Sequence, residues 1–230
     1  MASADSLSPT PPLSQTLSRG LRVLELLTGE SNGLSIAQIS QRLEVHRSIA
    51  YRLIQTLEHH GLITKGADSR YALGAGLAVL ARSVATDLQS TARPVLAELS
   101  DELQMTAFVV VEQADRCVTL LSVEPHAAGV VAQRPGTVHS VERGAPGLAL
   151  LATTPTLAPE HAERADDVAQ VRASGFAHSH DEVIPGMQSV AVPLTRHSGP
   201  QAALAVVYVA SELDPTEIGN RLQAAAARIV

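Results

Sequence analysis

The chain contains 230 residues, of which 45% are apolar and 17% are charged, so it has room for one large domain or two modest ones and is not generally disordered. Its single cysteine, Cys117, excludes an internal disulfide framework and a cysteine-rich zinc finger, and fits a reducing cytoplasm. No apolar run reaches the length of a membrane span, and the first residues lack the basic start and apolar middle of a signal peptide, which predicts a cytoplasmic protein.

The net charge of −6 is divided unevenly along the chain. Residues 14–73 hold seven Lys/Arg against five Asp/Glu, whereas residues 74–230 hold ten against seventeen. Because the acidic excess lies outside residues 14–73, a nucleic-acid-binding module in that stretch is compatible with the overall charge.

The chain begins with a Ser/Pro/Thr-rich segment, residues 1–13, which predicts a disordered tail. A first helix is predicted over Thr16–Thr28, where leucines recur at helical spacing and Gly29 and Gly33 follow the end. The predicted inward stripe consists of Leu17, Leu21, Leu24 and either Val23 or Leu27.

A second, short helix is predicted to begin at a capping box, in which Ser35 and Gln38 each satisfy a free N–H group at the helix start. Only Glu44 and Val45 separate its end near Leu43 from a third helix, which lies within the stretch 45–61. The predicted apolar face of the third helix consists of Ile49, Leu53, Leu57, Ala50 and Ile54.

The other face of the third helix carries side chains that bond phosphates and base edges. They cluster in the N-terminal half of the helix, where the helix dipole and the free N–H groups favour a phosphate. A strand, a turn and a second strand follow over Leu62–Leu73, with Lys65 and Arg70 near the tip. Three helices and this hairpin predict a winged helix-turn-helix DNA-binding domain over residues 14–73. The predicted DNA contacts are Ser35, Gln38, His46, Arg47, Ser48, Tyr51, Arg52, Gln55, Lys65 and Arg70. Capping or plain solvation explains six of them equally well, namely Ser35, Gln38, His46, Gln55, Lys65 and Arg70.

Residues 74–89 predict a linker helix, Ala-rich and helical from Ala75 to Leu88, which can pair with its copy in a second subunit. A C-terminal domain over residues 90–230 begins with a helix near Arg93–Leu103. Its predicted strands are Thr106–Glu112, Cys117–Val123, Val130–Arg134, Ser189–Leu194 and Ala202–Ala210. Its predicted helices are Ala145–Ala152, Asp166–Ser174 and Pro215–Ile229. The fold class is therefore α+β, with a mostly antiparallel sheet in the C-terminal domain.

From about Ser14 to the end, the chain resembles the IclR family of bacterial transcription regulators. The resemblance lies in SRGLRVLELL, GLSIAQISQRL, HRSIAYRLIQTLEHHGLI and RYALG in the N-terminal part, and in ARPVLAELSDEL, GAPGLALLA and GFAHSHDEVIPGMQSVAVPL in the C-terminal part. It implies a homodimer, often paired into a homotetramer, that binds a palindromic operator and holds a small effector in a GAF-like C-terminal domain. Dimeric pairing also follows because one winged helix contacts only a few base pairs.

The positions that the resemblance assigns to the effector pocket match the family only in part. Glu142 stands where the family usually has His, Ser189 where it commonly has Cys, and Ser179 where it is commonly acidic. Because a pocket for a small, strongly polar acid needs several converging donors, we predict a larger, apolar or aromatic ligand with one polar end, held by Arg143, Ser189 or Tyr208. The predicted effector-binding residues are Val141, Glu142, Arg143, Gly144, Ala145, Ser179, Met187, Ser189, Val206 and Tyr208.

These features predict a sequence-specific transcriptional regulator, such as a repressor, that controls a catabolic operon and whose operator affinity changes with a small metabolite. In the predicted mechanism, the effector changes how the subunits sit across the linker helices, and thereby the spacing of the two recognition helices. The alternative is a sensor or scaffold protein whose winged helix binds another protein.

No pattern supports catalysis, a cofactor or a metal ion. Gly74–Val79 mimics a dinucleotide fingerprint, but Val79 stands where the third glycine is needed. The chain lacks a G-x-S-x-G elbow and a P-loop, and Cys117 lies in an apolar strand pattern typical of a buried small hydrophobe. No histidine spacing matches a zinc motif, which favours surface or pocket-rim positions over metal binding for His126, His139, His161, His178, His180 and His197.

Overall fold

The computed structural model describes residues 13–126, 131–195, 199–210 and 212–229. All but the last residue of the predicted tail, together with Val130 and His197, lie outside the described residues. The chain divides into two compact units, one ending at Val84 and the other beginning at Ala85. Within the described ranges, no helix is long and apolar enough to cross a membrane.

The unit that ends at Val84 is a winged helix-turn-helix, as predicted. Its elements are α1 (Gln15–Thr28), α2 (Ile36–Arg42), α3 (Arg47–His59), β1 (Ile63–Lys65), β2 (Tyr71–Leu73) and α4 (Gly76–Ala81). The predicted capping box between Ser35 and Gln38 begins α2. The backbone of Leu34 pairs with that of Tyr71, so the segment before α2 is attached to the hairpin.

The buried face of α3 differs from the predicted stripe by one residue. Ala50, Leu53, Ile54 and Leu57 are buried, whereas Ile49 is 39% exposed. A strict four-residue repeat drifts around a helix that has about 3.6 residues per turn, so Ile49 leaves the core side. The predicted inward position of Ile49 was therefore wrong.

The predicted inward stripe of α1 was also partly wrong. Gly20, Val23 and Leu27 are buried, but Leu17 is 63% exposed and Leu21 is 50% exposed. The helix carries apolar side chains on two faces, and only one of them fits against α3.

The predicted linker helix is broken. α4 ends at Ala81, Ala85 has a left-handed backbone (φ +44°), and α5 (Thr86–Leu103) begins directly after it. Leu88, predicted as the last residue of the helical stretch of the linker, belongs to α5 and is 2% exposed in the core of the second unit. Burial of this leucine against the sheet outweighs the helical preference of the Ala-rich stretch.

The unit that begins at Ala85 is built on one six-stranded antiparallel sheet with strand order β5-β4-β3-β8-β7-β6. Its strands are β3 (Thr106–Glu112), β4 (Arg116–Val123), β5 (Val138–Ser140), β6 (Ala177–His180), β7 (Met187–Leu194) and β8 (Ala202–Val209). Its helices after α5 are α6 (Gly144–Thr153), the 3-10 turn Pro159–Arg164, α7 (Ala165–Ser174) and α8 (Pro215–Ala226). α5 and α8 cover one face of the sheet, and α6 and α7 cover the other.

The strand predicted over Val130–Arg134 was wrong for its described part, and two short strands were not predicted. Residues 131–134 instead bind to β3 and β4 through side-chain hydrogen bonds. Thr106 Oγ1 donates to the Val131 carbonyl at 2.6 Å, and Gln133 Nε2 donates to Thr119 Oγ1 at 2.8 Å. The missed strands β5 and β6 are the two edges of the sheet. Edge strands are short and polar, so they lack the apolar run that marks a central strand.

Candidate functional site

The exposed face of α3 presents two arginines with free guanidinium groups. Arg47, Ser48, Tyr51, Arg52 and Gln55 are all exposed, while the opposite face of the helix lies in the core. Within the described part of the chain, neither arginine side chain forms an ion pair or an internal hydrogen bond. A free guanidinium has five donors in a planar fork, which matches guanine or a phosphate.

Neighbouring side chains on this face hold one another in place. His46 caps α3, because its Nδ1 accepts the Ser48 N–H at 3.4 Å and lies 2.9 Å from the Ser48 hydroxyl. One turn later, Gln55 Nε2 donates to the Tyr51 hydroxyl at 2.8 Å. The polar edge of α3 is therefore partly ordered before anything binds to it.

Other side chains predicted to contact DNA form hydrogen bonds within the protein. Ser35 Oγ accepts the Gln38 N–H at 3.3 Å, and Gln38 Oε1 accepts the Ser35 N–H at 3.0 Å. Arg70 donates from Nε to the Asn32 carbonyl and from Nη2 to the Gly33 carbonyl, both at 2.9 Å. Arg70 was predicted to contact DNA, but these bonds give it a structural role, because they hold the hairpin to the loop before α2. Lys65 is exposed at the hairpin tip.

The second unit contains a cavity of about 140 Å³ beside the first turn of α6, which is called the α6 cavity below. Its apolar lining is Phe108, Val138, Val183, Ile184, Met187 and Val207. Its polar lining includes Gln133, Thr137, His139, Ser179, Glu182, Gln188 and Ser189. The mixture of an apolar wall and a few polar groups is typical of a small-molecule site.

Only some of the predicted effector-binding residues line this cavity. Four of them do, namely Gly144, Ser179, Met187 and Ser189. Of the other six, Val141 is buried in the core beneath α6, and Glu142 contacts His161. Arg143 donates to the carbonyl of Glu182, and the Ala145 N–H donates to Ser179.

Val206 and Tyr208 were predicted on the cavity side, but the structure places them on the opposite face of the sheet. Both belong to the core under α5 and α8, and the Tyr208 hydroxyl donates to Gln188 Oε1 at 3.0 Å. Val207, between them, lines the cavity instead. Successive side chains of a strand point to opposite faces, and both faces of β8 are apolar, so the sequence does not mark which one faces the cavity.

Side chains already occupy the first free amides of α6. Glu182 Oε2 accepts the Gly144 N–H at 2.8 Å, and Ser179 Oγ accepts the Ala145 N–H at 2.8 Å. Gly144 has φ +79°, and a Cβ there would lie 2.8 Å from Val183 Cγ2, so the close approach requires glycine. Glu182 was not among the predicted site residues, although it lies inside the GFAHSHDEVIPGM motif.

Residues 16–66 match the IclR helix-turn-helix domain. Across nearly the whole chain, the protein is 28% identical to the HTH-type transcriptional regulator XynR of Escherichia coli, covering 91% of this chain and 92% of the relative. The crystal structure of an IclR-type regulator from Alicyclobacillus acidocaldarius superposes with a TM-score of 0.80 at 26% identity, over 95% of this chain and 98% of that one. The matched domain, the full-length relative and the solved structure together support an IclR-family regulator. A further structure, an IclR homolog from Microbacterium hydrocarbonoxydans, has the same fold, with a TM-score of 0.77 at 22% identity over 93% and 97% of the two chains.

The predicted family and fold class are thus confirmed, and this IclR-family protein is a transcriptional regulator. The relatives named above are regulators, in agreement with the prediction that the chain is not an enzyme. Cys117 is fully buried, and burial together with the nearby Glu112 charge raises the pKa of its thiol to about 12, so it stays protonated.

A buried histidine, His161, lies among acidic side chains that do not line the cavity. His161 is 6% exposed; its Nδ1 lies 3.0 Å from Glu142 Oε1, and its Nε2 lies 3.5 Å from Asp115 Oδ1. Asp115, Glu160 and His161 place one possible ligand atom each within 4.8 Å of one another. His178 and His180, the pair singled out in the sequence, instead contact Gln188 and Asp181. The hydrogen bond to Glu142, supported by the charge of Asp115, raises the pKa of His161, and burial opposes this shift.

We expect the stability that His161 contributes to decrease as pH rises. Because its pKa is higher in the folded state than in the unfolded chain, the contribution is complete below the unfolded value of about 6.5 and is lost as pH rises through the folded pKa. His161→Gln should therefore lower the melting temperature more at pH 5.5 than at pH 9, as measured by circular dichroism. His178→Gln is the matched control, because His178 contacts the amide oxygen of Gln188 and not a carboxylate. An equal loss at both pH values would contradict the expected protonated state.

Proposed function

We propose that this regulator binds a palindromic operator as a homodimer or homotetramer in the cytoplasm, and that a small organic ligand in the α6 cavity changes its operator affinity. The observation that carries the proposal is the exposed face of α3, where Arg47 and Arg52 have no partner within the described residues. We propose further that the controlled genes belong to a catabolic operon for that ligand.

The face of α3 suits a major groove through both its polar and its apolar side chains. Arg47, Ser48, Tyr51, Arg52 and Gln55 offer donors toward phosphates and base edges, and Ile49 lies exposed among them. An exposed apolar side chain there has a partner in DNA, since a thymine methyl group is the apolar feature of the major groove.

The cavity supports the ligand-binding part of the proposal. It combines an apolar wall with a few polar groups at the start of α6. The homolog from Microbacterium hydrocarbonoxydans has been solved in complex with 4-hydroxybenzoate, so a protein of this fold holds a single-ring compound. We propose that the ligand here is likewise apolar or aromatic with one polar end.

A second subunit would cover the exposed apolar face of α1. Leu17 and Leu21 on α1 are 63% and 50% exposed and lie one helical turn apart, and Leu13, just before the helix, is 81% exposed. In the same unit, Val79 and Leu80 on α4 are 65% and 62% exposed. Repeated apolar exposure of this kind marks an interaction surface, and two-fold pairing presents two recognition helices to successive grooves.

Leu17→Asp combined with Leu21→Asp should weaken self-association, because it places charges in the proposed interface. The expected result is at least a tenfold higher dimer dissociation constant, about 1.4 kcal/mol or more, in sedimentation equilibrium. Unchanged helical content would show that the domain still folds. Leu213→Asp, at a site 52% exposed in the other unit, is the matched control. Self-association unaffected by the double substitution would exclude this face.

Regulation requires the ligand to prefer one arrangement of the subunits. A preference of about 1–3 kcal/mol would change operator affinity by roughly five- to 150-fold. The ligand needs no contact with DNA for this effect, since it only shifts the population of the arrangement whose helix spacing matches the grooves.

An electrophoretic mobility shift with the DNA upstream of the protein's own gene tests the proposal. We expect a shift that persists in excess competitor DNA and weakens steeply as salt is added. No shift at low salt would overturn the DNA-binding role and favour a winged helix that binds another protein.

A further inference from the structure

Glu182 holds the position that the charged end of an acidic ligand would need. Its carboxylate accepts the N–H of Gly144, the first residue of α6, at 2.8 Å. A free helix N-terminus is the natural place for a ligand carboxylate, because its amides point outward and the dipole favours a negative charge. In this protein the Glu182 carboxylate occupies that position.

Neighbouring groups keep Glu182 there. Arg164 Nη2 lies 3.6 Å from its Oε2, and Arg143 donates a hydrogen bond to its backbone carbonyl. The second amide of α6, that of Ala145, is taken by Ser179 Oγ at 2.8 Å. An incoming acid would have to displace a carboxylate held by an amide, a cation and its own anchored backbone.

The charges around the cavity disfavour an anion as well. Of the described residues that line it, none is Lys or Arg, and Glu182 is the acidic one. The nearby cations do not line the cavity: Arg143 bonds the Glu182 backbone carbonyl, and Arg164 pairs with both Glu182 and Asp167. A second carboxylate beside Glu182 would meet a like charge in a partly apolar space, where screening by water is reduced.

The size and wall of the cavity indicate what it does accept. Its volume of about 140 Å³ is close to the ~150 Å³ of an apolar protein cavity that takes up benzene. Phe108, Met187 and Val207 provide flat and flexible apolar surface, and Thr137 and His139 line the same space with polar groups.

We infer that the α6 cavity binds an uncharged molecule with a single ring and a hydroxyl or amide group, and that Glu182 excludes carboxylic acids from it. This inference rests on the proposed function, in which the cavity is the ligand site. It assigns Glu182 as the residue that determines specificity.

Benzyl alcohol and benzoate are matched probes, because they share a ring and differ in charge. With the full chain at pH 7.5, titrations followed by NMR should detect benzyl alcohol, with benzoate at least about tenfold weaker. Glu182→Gln keeps an oxygen that can accept the Gly144 N–H but removes the charge. This variant should bind benzoate at least about tenfold more tightly than the wild-type chain does, with benzyl alcohol little changed. Glu163→Gln, an exposed acid outside the cavity lining, is the control and should change neither.

Each other outcome has a distinct meaning. Benzoate binding to the wild-type chain as tightly as benzyl alcohol overturns the inference but leaves the cavity as a ligand site. Binding of neither probe overturns both the inference and the ligand part of the proposed function, while operator binding is measured separately by mobility shift. If Glu182→Gln fails to fold, the comparison of benzyl alcohol with benzoate on the wild-type chain still tests whether the cavity excludes a carboxylic acid.

Discussion

Arg52→Ala should weaken operator binding by about 1–3 kcal/mol, roughly five- to 150-fold, while leaving the melting temperature unchanged. The side chain is exposed in the middle of the α3 face and has no partner within the described residues, so its removal costs the folded protein nothing. In complex with DNA, the same guanidinium is expected to bond a guanine edge or a phosphate. Fluorescence anisotropy with labelled operator DNA measures the loss, and a smaller salt dependence would identify a phosphate contact.

Two other arginines make this prediction specific. Arg116→Ala removes an exposed cation from the second unit and should leave operator affinity within about twofold at moderate salt. Arg70→Ala should instead lower the melting temperature, because it breaks the bonds to the Asn32 and Gly33 carbonyls. If Arg52→Ala lowered the melting temperature and ligand binding together with DNA binding, the residue would be structural.

Gly147→Ala should destabilise the second unit by about 1–3 kcal/mol and reduce ligand binding in the cavity. A Cβ at this position would lie 2.1 Å from the Val141 carbonyl oxygen and 2.7 Å from its carbon, so the backbone has to move. Alanine is favoured over glycine in a helix by about 1 kcal/mol, but a backbone overlap of this size outweighs that gain. Val141 lies three residues before Gly144, which lines the cavity, so the displacement is expected to reach the proposed ligand site.

Calorimetric unfolding measures the first effect, and benzyl alcohol titration measures the second. Gly20→Ala in α1 is the control, because a Cβ there meets nothing within 4 Å and should be neutral or stabilising. A Gly147→Ala protein as stable as the wild type would show that α6 can move away from Val141 at little cost.

The exposed face of α3, which is the proposed DNA-binding face, could be predicted from the sequence because it depends on local patterns. The capping box at Ser35 and the clustering of Arg47, Ser48 and Arg52 in the first half of a helix are encoded within a few residues. Arg70 could not be assigned in this way, because its partners lie 37 and 38 positions away along the chain. Long-range hydrogen bonds leave no local signature.

The lining of the proposed ligand cavity could be predicted only in part, because it too depends on contacts between distant segments. The motif around Gly144 marked the loop, and Ser179 and Ser189 lie where the family resemblance placed them on the lining. The choice of Val206 and Tyr208 failed, since a strand covered on both sides is apolar on both sides. Glu182 became visible only when folding brought its carboxylate to the start of α6.

The sequence alone therefore determined the winged helix-turn-helix, its exposed basic residues, the α+β class and the family, because helix periodicity, capping and turn residues act over short distances. Only the tertiary structure decided which face of each apolar strand lines the cavity, where the Ala-rich stretch breaks, and which charges pair. Those outcomes depend on packing, hydrogen bonds and ion pairs between segments far apart in the chain, where burial outweighs local preference.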